Sequence, residues 1–140
     1  MGKKSTQIKT LSFSNENEAI AAAGVLCSSL FYLWCITTSD CYHLNRKEIN
    51  SFPVNLEDKS LIESLLLIVG NLEKDMKSNS KRRVYHYQTS GRVEYDEFYL
   101  KKSKFIIDEV DTVLAKHYDF TDEELDFIIN YDIKYRMGIK

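Results

Sequence analysis

From Ala19 to Ile36 the chain runs eighteen residues without a charge. Asn15 precedes this run, with Glu18 three residues on, the pattern of a capping box in which side chains satisfy free N–H groups. The spacing predicts a helix over 16–38, apolar on every side and buried in a core. Ala21, Gly24, Ser28 and Ser29 are small enough to admit a neighbouring helix closely, and a break near Cys27–Ser29 would split the helix in two. The run touches the lower limit for a membrane span. Its flanks hold Glu16, Glu18 and Asp40 with no basic anchor before Arg46, which favours a core helix and no membrane.

The remaining pattern predicts smaller pieces. Thr6–Phe13 alternates loosely and reads as a short strand. Asn45 with Glu48 forms a second capping box, flanked by Leu44 and Ile49 as a hydrophobic staple, so a short helix follows over 46–51 and stops at Phe52–Pro53. Asn55 opens a helix over 57–76, whose Leu61, Ile62, Leu65, Leu66, Ile68, Val69, Leu72 and Met76 form a broad apolar stripe at helical spacing. Lys77–Arg83 reads as an exposed basic loop. Val84–Gln88 and Arg92–Tyr95 read as hairpin strands around Thr89-Ser90-Gly91. A helix over 104–118 puts Ile106, Ile107, Val110, Val113 and Leu114 on one side. Thr121 with Glu124, and Phe120 with Leu125, mark the clearest helix start in the chain. That helix should bury Leu125, Phe127 and Ile128 or Ile129 and run out near Tyr131, leaving a tail. These elements predict one domain over 1–140, α+β and predominantly helical, with a buried central helix and a small β element.

Composition narrows the chemistry. A net charge of −2 argues against strong DNA binding by the isolated chain, though a basic patch can act within an assembly. Three cysteines, Cys27, Cys35 and Cys41, with no apolar leader after Met1, imply free thiols and a cytoplasmic location. Cys35, Cys41 and His43 invite a zinc reading, but a structural zinc site takes four ligands in close pairs. Glu57-Asp58-Lys59 has the form of a metal-dependent nuclease triplet, and equally of the acidic start of a helix. Asp108, Glu109 and Asp111 read as a solvated helix face. No glycine-rich phosphate loop and no nucleophile elbow is present, so no complete reaction is legible.

One stretch carries a family resemblance. Ser28 to Pro53 reads SSLFYLWCITTSDCYHLNRKEINSFP. It resembles the C-terminal, target-recognition region of bacterial restriction-modification N6-adenine DNA methyltransferases, fused restriction–methylation enzymes included. The matching residues are Ser28–Tyr32, Ser39–Asp40, His43–Asn45, Ile49 and Phe52–Pro53. The stretch FTDEELDFIINYDIKYRMG, Phe120 to Gly138, is similar to the close of such proteins. The family's catalytic half is not here: its Asn/Asp-Pro-Pro-Tyr/Phe motif needs two prolines and the chain has only Pro53. The resemblance therefore implies a detached subunit, a truncated product or an excised domain. Such a piece is non-catalytic and serves DNA recognition or subunit docking, with S-adenosylmethionine held by a partner or a missing domain. Its partners would be DNA, within an assembly, and a methyltransferase or restriction subunit, with a homo-oligomer also open. Candidate DNA-binding residues are His43, Asn45, Arg46 and Lys47, with Lys81, Arg82 and Arg83. Asn45 serves equally as a helix cap, and His43 as a structural histidine. Two other readings stand beside this one: a helical interaction or dimerisation module without DNA contact, and a small metal-dependent nuclease resting on Glu57 and Lys59.

Overall fold

The computed structural model describes residues 9–138. Their elements run α1 (Glu16–Cys27), α2 (Ser29–Thr38), α3 (Arg46–Ser51), α4 (Lys59–Ser78), β1 (Lys81–Tyr87), β2 (Gly91–Glu97), a 3-10 turn (Leu100–Lys102), α5 (Lys104–His117), α6 (Asp122–Asn130) and α7 (Ile133–Met137). The fold is α+β and mostly helical, with one two-stranded antiparallel sheet among the described residues.

The long uncharged run is two helices bent by 67°. Ser28 makes the bend by serving both. Its hydroxyl donates to the Val25 carbonyl at 2.6 Å and accepts the Phe31 N–H at 3.0 Å, closing α1 and capping α2. Among the described residues no single helix is long and apolar enough to cross a membrane.

α4 packs between α1 and α5. Leu61, Leu65, Val69 and Leu72 form its buried stripe; the first three cluster with Ala21 and Val25 of α1 and Val110 and Leu114 of α5, and Leu72 with Ile106 and Ile107 of α5. The α1–α4 contact is close because Gly24 has no side chain: a Cβ there would stand 2.3 Å from Val69 Cγ2. Phe31 and Phe52 meet edge to face at 5.4 Å, bringing the turn after α3 onto the same core.

Several expectations change. Residues 9–13 of the expected first strand are irregular, and 6–8 lie outside the described residues. The N-cap of α4 is Asp58, which accepts the Ser60 N–H at 2.9 Å; Asn55 instead accepts the Glu57 N–H in the preceding turn. Lys81–Arg83 is not loop but the start of β1, because its partner strand reaches back to Glu97 and pairs with it residue by residue. Phe127 is exposed, while Leu125 is half-buried and Ile128 buried, so α6 turns only one edge inward. The expected tail contains α7, whose Met137 is buried. It follows Asp132, a left-handed residue with φ 54°, the kind of position Asp and Asn tolerate better than most residues.

β1 and β2 pack chiefly on each other. They form an arm whose turn, residues 88–90, closes at Gly91, the first residue of β2, whose φ of 70° is left-handed backbone that glycine adopts without strain. Its root is a polar knot. Arg83 and Glu97 pair at 2.8 Å, Tyr99 donates to the same Glu97 oxygen at 2.5 Å, and Arg83 donates to the Tyr99 hydroxyl at 3.2 Å. Ser103 then donates to Asp75 at 2.7 Å, tying the return of the arm to α4.

Candidate functional site

The two stretches that carry the family resemblance close on each other. Ser29, at the start of α2, is wholly buried. Its hydroxyl accepts from Arg136 of α7 at 2.7 Å, and the Arg136 guanidinium lies 4.7 Å from the centre of the Tyr32 ring. Tyr32 donates to Asp132 at 3.1 Å. From below, Asp111 of α5 accepts the Ser29 and Leu30 N–H groups at 3.1 and 3.0 Å. α2 has no acid in its own first turn, so Asp111 supplies both the missing acceptors and the negative charge that a helix start favours. Burial pushes the Asp111 carboxyl above the usual aspartate range, against the opposing pull of these hydrogen bonds.

Asp111 is thus a structural anchor and not part of a solvated face. The signal was in the sequence: Asp111 falls between Ile107 and Leu114 on the apolar stripe of α5. Arg136 had no local signal, since only the fold brings it to a residue 107 positions away.

Beside this knot lies an open groove of about 650 Å³, lined in part by Phe31, Tyr32, Tyr42, His43, Tyr135 and Arg136. His43 is exposed at its mouth, with its backbone N–H on Asp40 at 3.3 Å and its ring 5.3 Å from that of Tyr42. Asn45 and Glu48 form the expected box, with Glu48 accepting the Asn45 N–H at 2.9 Å. The Asn45 amide also donates to the His43 carbonyl at 3.3 Å. Arg46 reaches back to the Thr10 carbonyl at 3.1 Å, across a second groove, while Lys47 is exposed. His43 and Asn45 lie in the turn between α2 and α3, and Arg46 and Lys47 open α3.

Lys81, Arg82 and Arg83 stand apart from them, on β1. Arg82 pairs with Asp96 at 3.0 Å and Arg83 with Glu97, while Arg92 pairs with Glu94 at 2.6 Å. Lys81 and Lys102 approach the Tyr99 ring at 5.8 and 5.6 Å. The arm itself is nearly balanced, with four Lys or Arg against three Asp or Glu, but the wider stretch from Lys77 to Lys104, which adds the last turn of α4, the 3-10 turn and the start of α5, carries eight against three. Tyr85 stacks on Tyr95 at 5.9 Å and lies 6.2 Å from Tyr87, and all three rings are largely exposed.

Among the described residues no three His, Cys, Asp or Glu side chains are grouped to share a metal ion. Asp58 of the Glu57-Asp58-Lys59 triplet caps α4 with one oxygen and holds His117 at 3.4 Å with the other.

The geometry defines a mostly helical domain with a two-stranded arm set in a basic stretch and an aromatic groove. Comparison with known proteins adds nothing to that class, because no family model, no curated protein and no solved structure matches the chain.

Proposed function

We propose that this chain is a non-catalytic DNA-recognition and docking domain of a restriction-modification adenine methyltransferase system. The carrying observation is the charge of the stretch that contains the arm, most of whose surplus sits at the arm's base, on Lys77, Lys101, Lys102 and Lys104. An otherwise acidic chain concentrates a surplus of five positive charges, eight against three, between Lys77 and Lys104. A two-stranded ribbon is also a shape that the major groove of DNA admits. On this reading Lys81, Arg82 and Arg83 contact phosphate at the root of the arm, with Lys101 and Lys102 beside them. His43, Asn45, Arg46 and Lys47 form a second contact, in which Arg46 also secures the N-terminal segment. Methyl transfer and S-adenosylmethionine belong to a partner. The interlocking of Ser29 and Tyr32 with Asp132 and Arg136 supports treating the two family-like stretches as one unit.

The test is salt-dependent binding to a labelled duplex, with the chain alone and with a catalytic methyltransferase half added. Lys101→Glu plus Lys102→Glu should weaken binding at every sequence tried and reduce the slope of log affinity against log salt by about two. Equal affinity and slope for a folded double variant would remove the DNA reading. A specific observation favours the interaction-module alternative in that event: the arginines of the arm are already paired with its own acids.

A further inference from the structure

α2, α6 and the turn after α3 enclose an open cleft of about 510 Å³. Its walls are almost wholly apolar and include Leu33, Trp34, Phe52, Tyr118, Phe127 and Tyr131. Phe127 is 57% exposed, which is costly for so large an apolar side chain unless something covers it. Trp34 is half-buried, its ring edge to face with Phe52 at 5.7 Å and its indole N–H donating to the Glu48 carbonyl at 3.3 Å. The indole is thereby held in place while part of its face stays open.

The segment that gives the cleft Tyr118, Phe120, Phe127 and Tyr131 has one sign of charge. Tyr118 to Asp132 carries six carboxylates and no lysine or arginine, and all six acidic residues are exposed. Glu123 stands one helical turn before Phe127, and Asp126 adjoins it. Phosphate is repelled from such a surface, so nucleic acid does not cover the cleft. A symmetric contact between two copies would set the same patch against itself, acid against acid. What fits is an apolar anchor with positive charges on either side.

We propose that this cleft docks a basic segment of a partner protein, which seats an apolar side chain between Trp34 and Phe127 under the Glu123–Asp126 rim. The inference deepens the docking half of the reading above and holds whether or not the arm meets DNA.

Trp34 is the chain's single tryptophan and lies in the cleft wall, so it reports occupancy directly. The full chain is titrated with an amphipathic helical peptide of leucine and lysine, and with the same peptide carrying glutamate for lysine. The lysine peptide should shift Trp34 emission to the blue, saturably, with affinity falling as salt rises. Glu123→Gln plus Asp126→Asn should weaken it about fivefold, as expected for two exposed charge contacts. Phe127→Ala should abolish the shift with the helical circular dichroism unchanged. Absence of a shift, equal binding of the glutamate peptide, or equal affinity for the charge-neutral variant would overturn the proposal. So would self-association in sedimentation velocity that Lys101→Glu plus Lys102→Glu abolishes, because the occupant would then be the arm of a second copy.

Discussion

Asp111 is the residue on which the central bend depends. Asp111→Ala leaves the Ser29 and Leu30 N–H groups without their acceptor in a buried place, which should cost roughly 2–4 kcal/mol. Asp111→Asn keeps one good acceptor and should lose less. The pH dependence has a definite sign. With the folded carboxyl above its unfolded value, the folded protein holds more protons between the two, so this group's contribution to stability is greatest at acid pH and declines as pH rises through that window. Denaturant titrations in steps from pH 4 upward should show this decline in the parent protein and a shallower one in Asp111→Asn. Identical profiles would mean that the carboxyl titrates alike in both states.

At the scale of elements, the helix starts show how little chain is needed to set a boundary. Thr121 accepts the Glu124 N–H at 3.2 Å, and Glu124 accepts the Thr121 N–H at 2.8 Å. Thr121→Ala should cost about 0.5–2 kcal/mol, read as a lowered melting temperature. An unchanged melting temperature would mean that the cap does not hold α6. The arm is a contrast. A lone two-stranded hairpin is marginal in water, and this one leans on its root cluster of Arg83, Glu97 and Tyr99 and on the stacked tyrosines above it.

For the whole molecule, the close approach of α1 to α4 sets the core, and Gly24 permits it. Gly24→Ala should destabilise by about 1–3 kcal/mol, since the new methyl overlaps Val69 in a packed interior. Adding Val69→Ala should recover part of that loss, and a double-mutant cycle by denaturant unfolding would measure the coupling. Strict additivity of the two losses would show that α1 and α4 do not meet there. The molecule also has two electrostatic poles: the basic stretch from Lys77 to Lys104 that holds the arm, and the acidic stretch from Tyr118 to Asp132 that supplies part of the cleft. The salt-slope and Trp34 experiments address one pole each, so either reading can fail without the other.

The sequence by itself determined what a few neighbouring residues can settle. The helix starts at Asn15, Asn45 and Thr121 were legible because a cap is made by groups three residues apart, although at Asn15 Glu18 accepts the Ser14 N–H in place of the Asn15 N–H that a full box would use. The stripe of α4 and the mostly helical α+β class were legible because helical spacing repeats within one element. The hairpin turn was legible from Thr89-Ser90-Gly91, although β1 began earlier than expected, since strand length is set by the partner. Only the tertiary structure decided the rest. Asn55 and Asp58 were both competent caps, and the geometry of the turn chose Asp58. Asp111 became an anchor, and the expected tail became α7, through bonds between residues 82 and 107 positions apart, which no local pattern encodes. The acidic aromatic cleft arises the same way: its walls come from α2, the Phe52–Pro53 turn and α6, and they form one surface only after the long uncharged run has bent at Ser28.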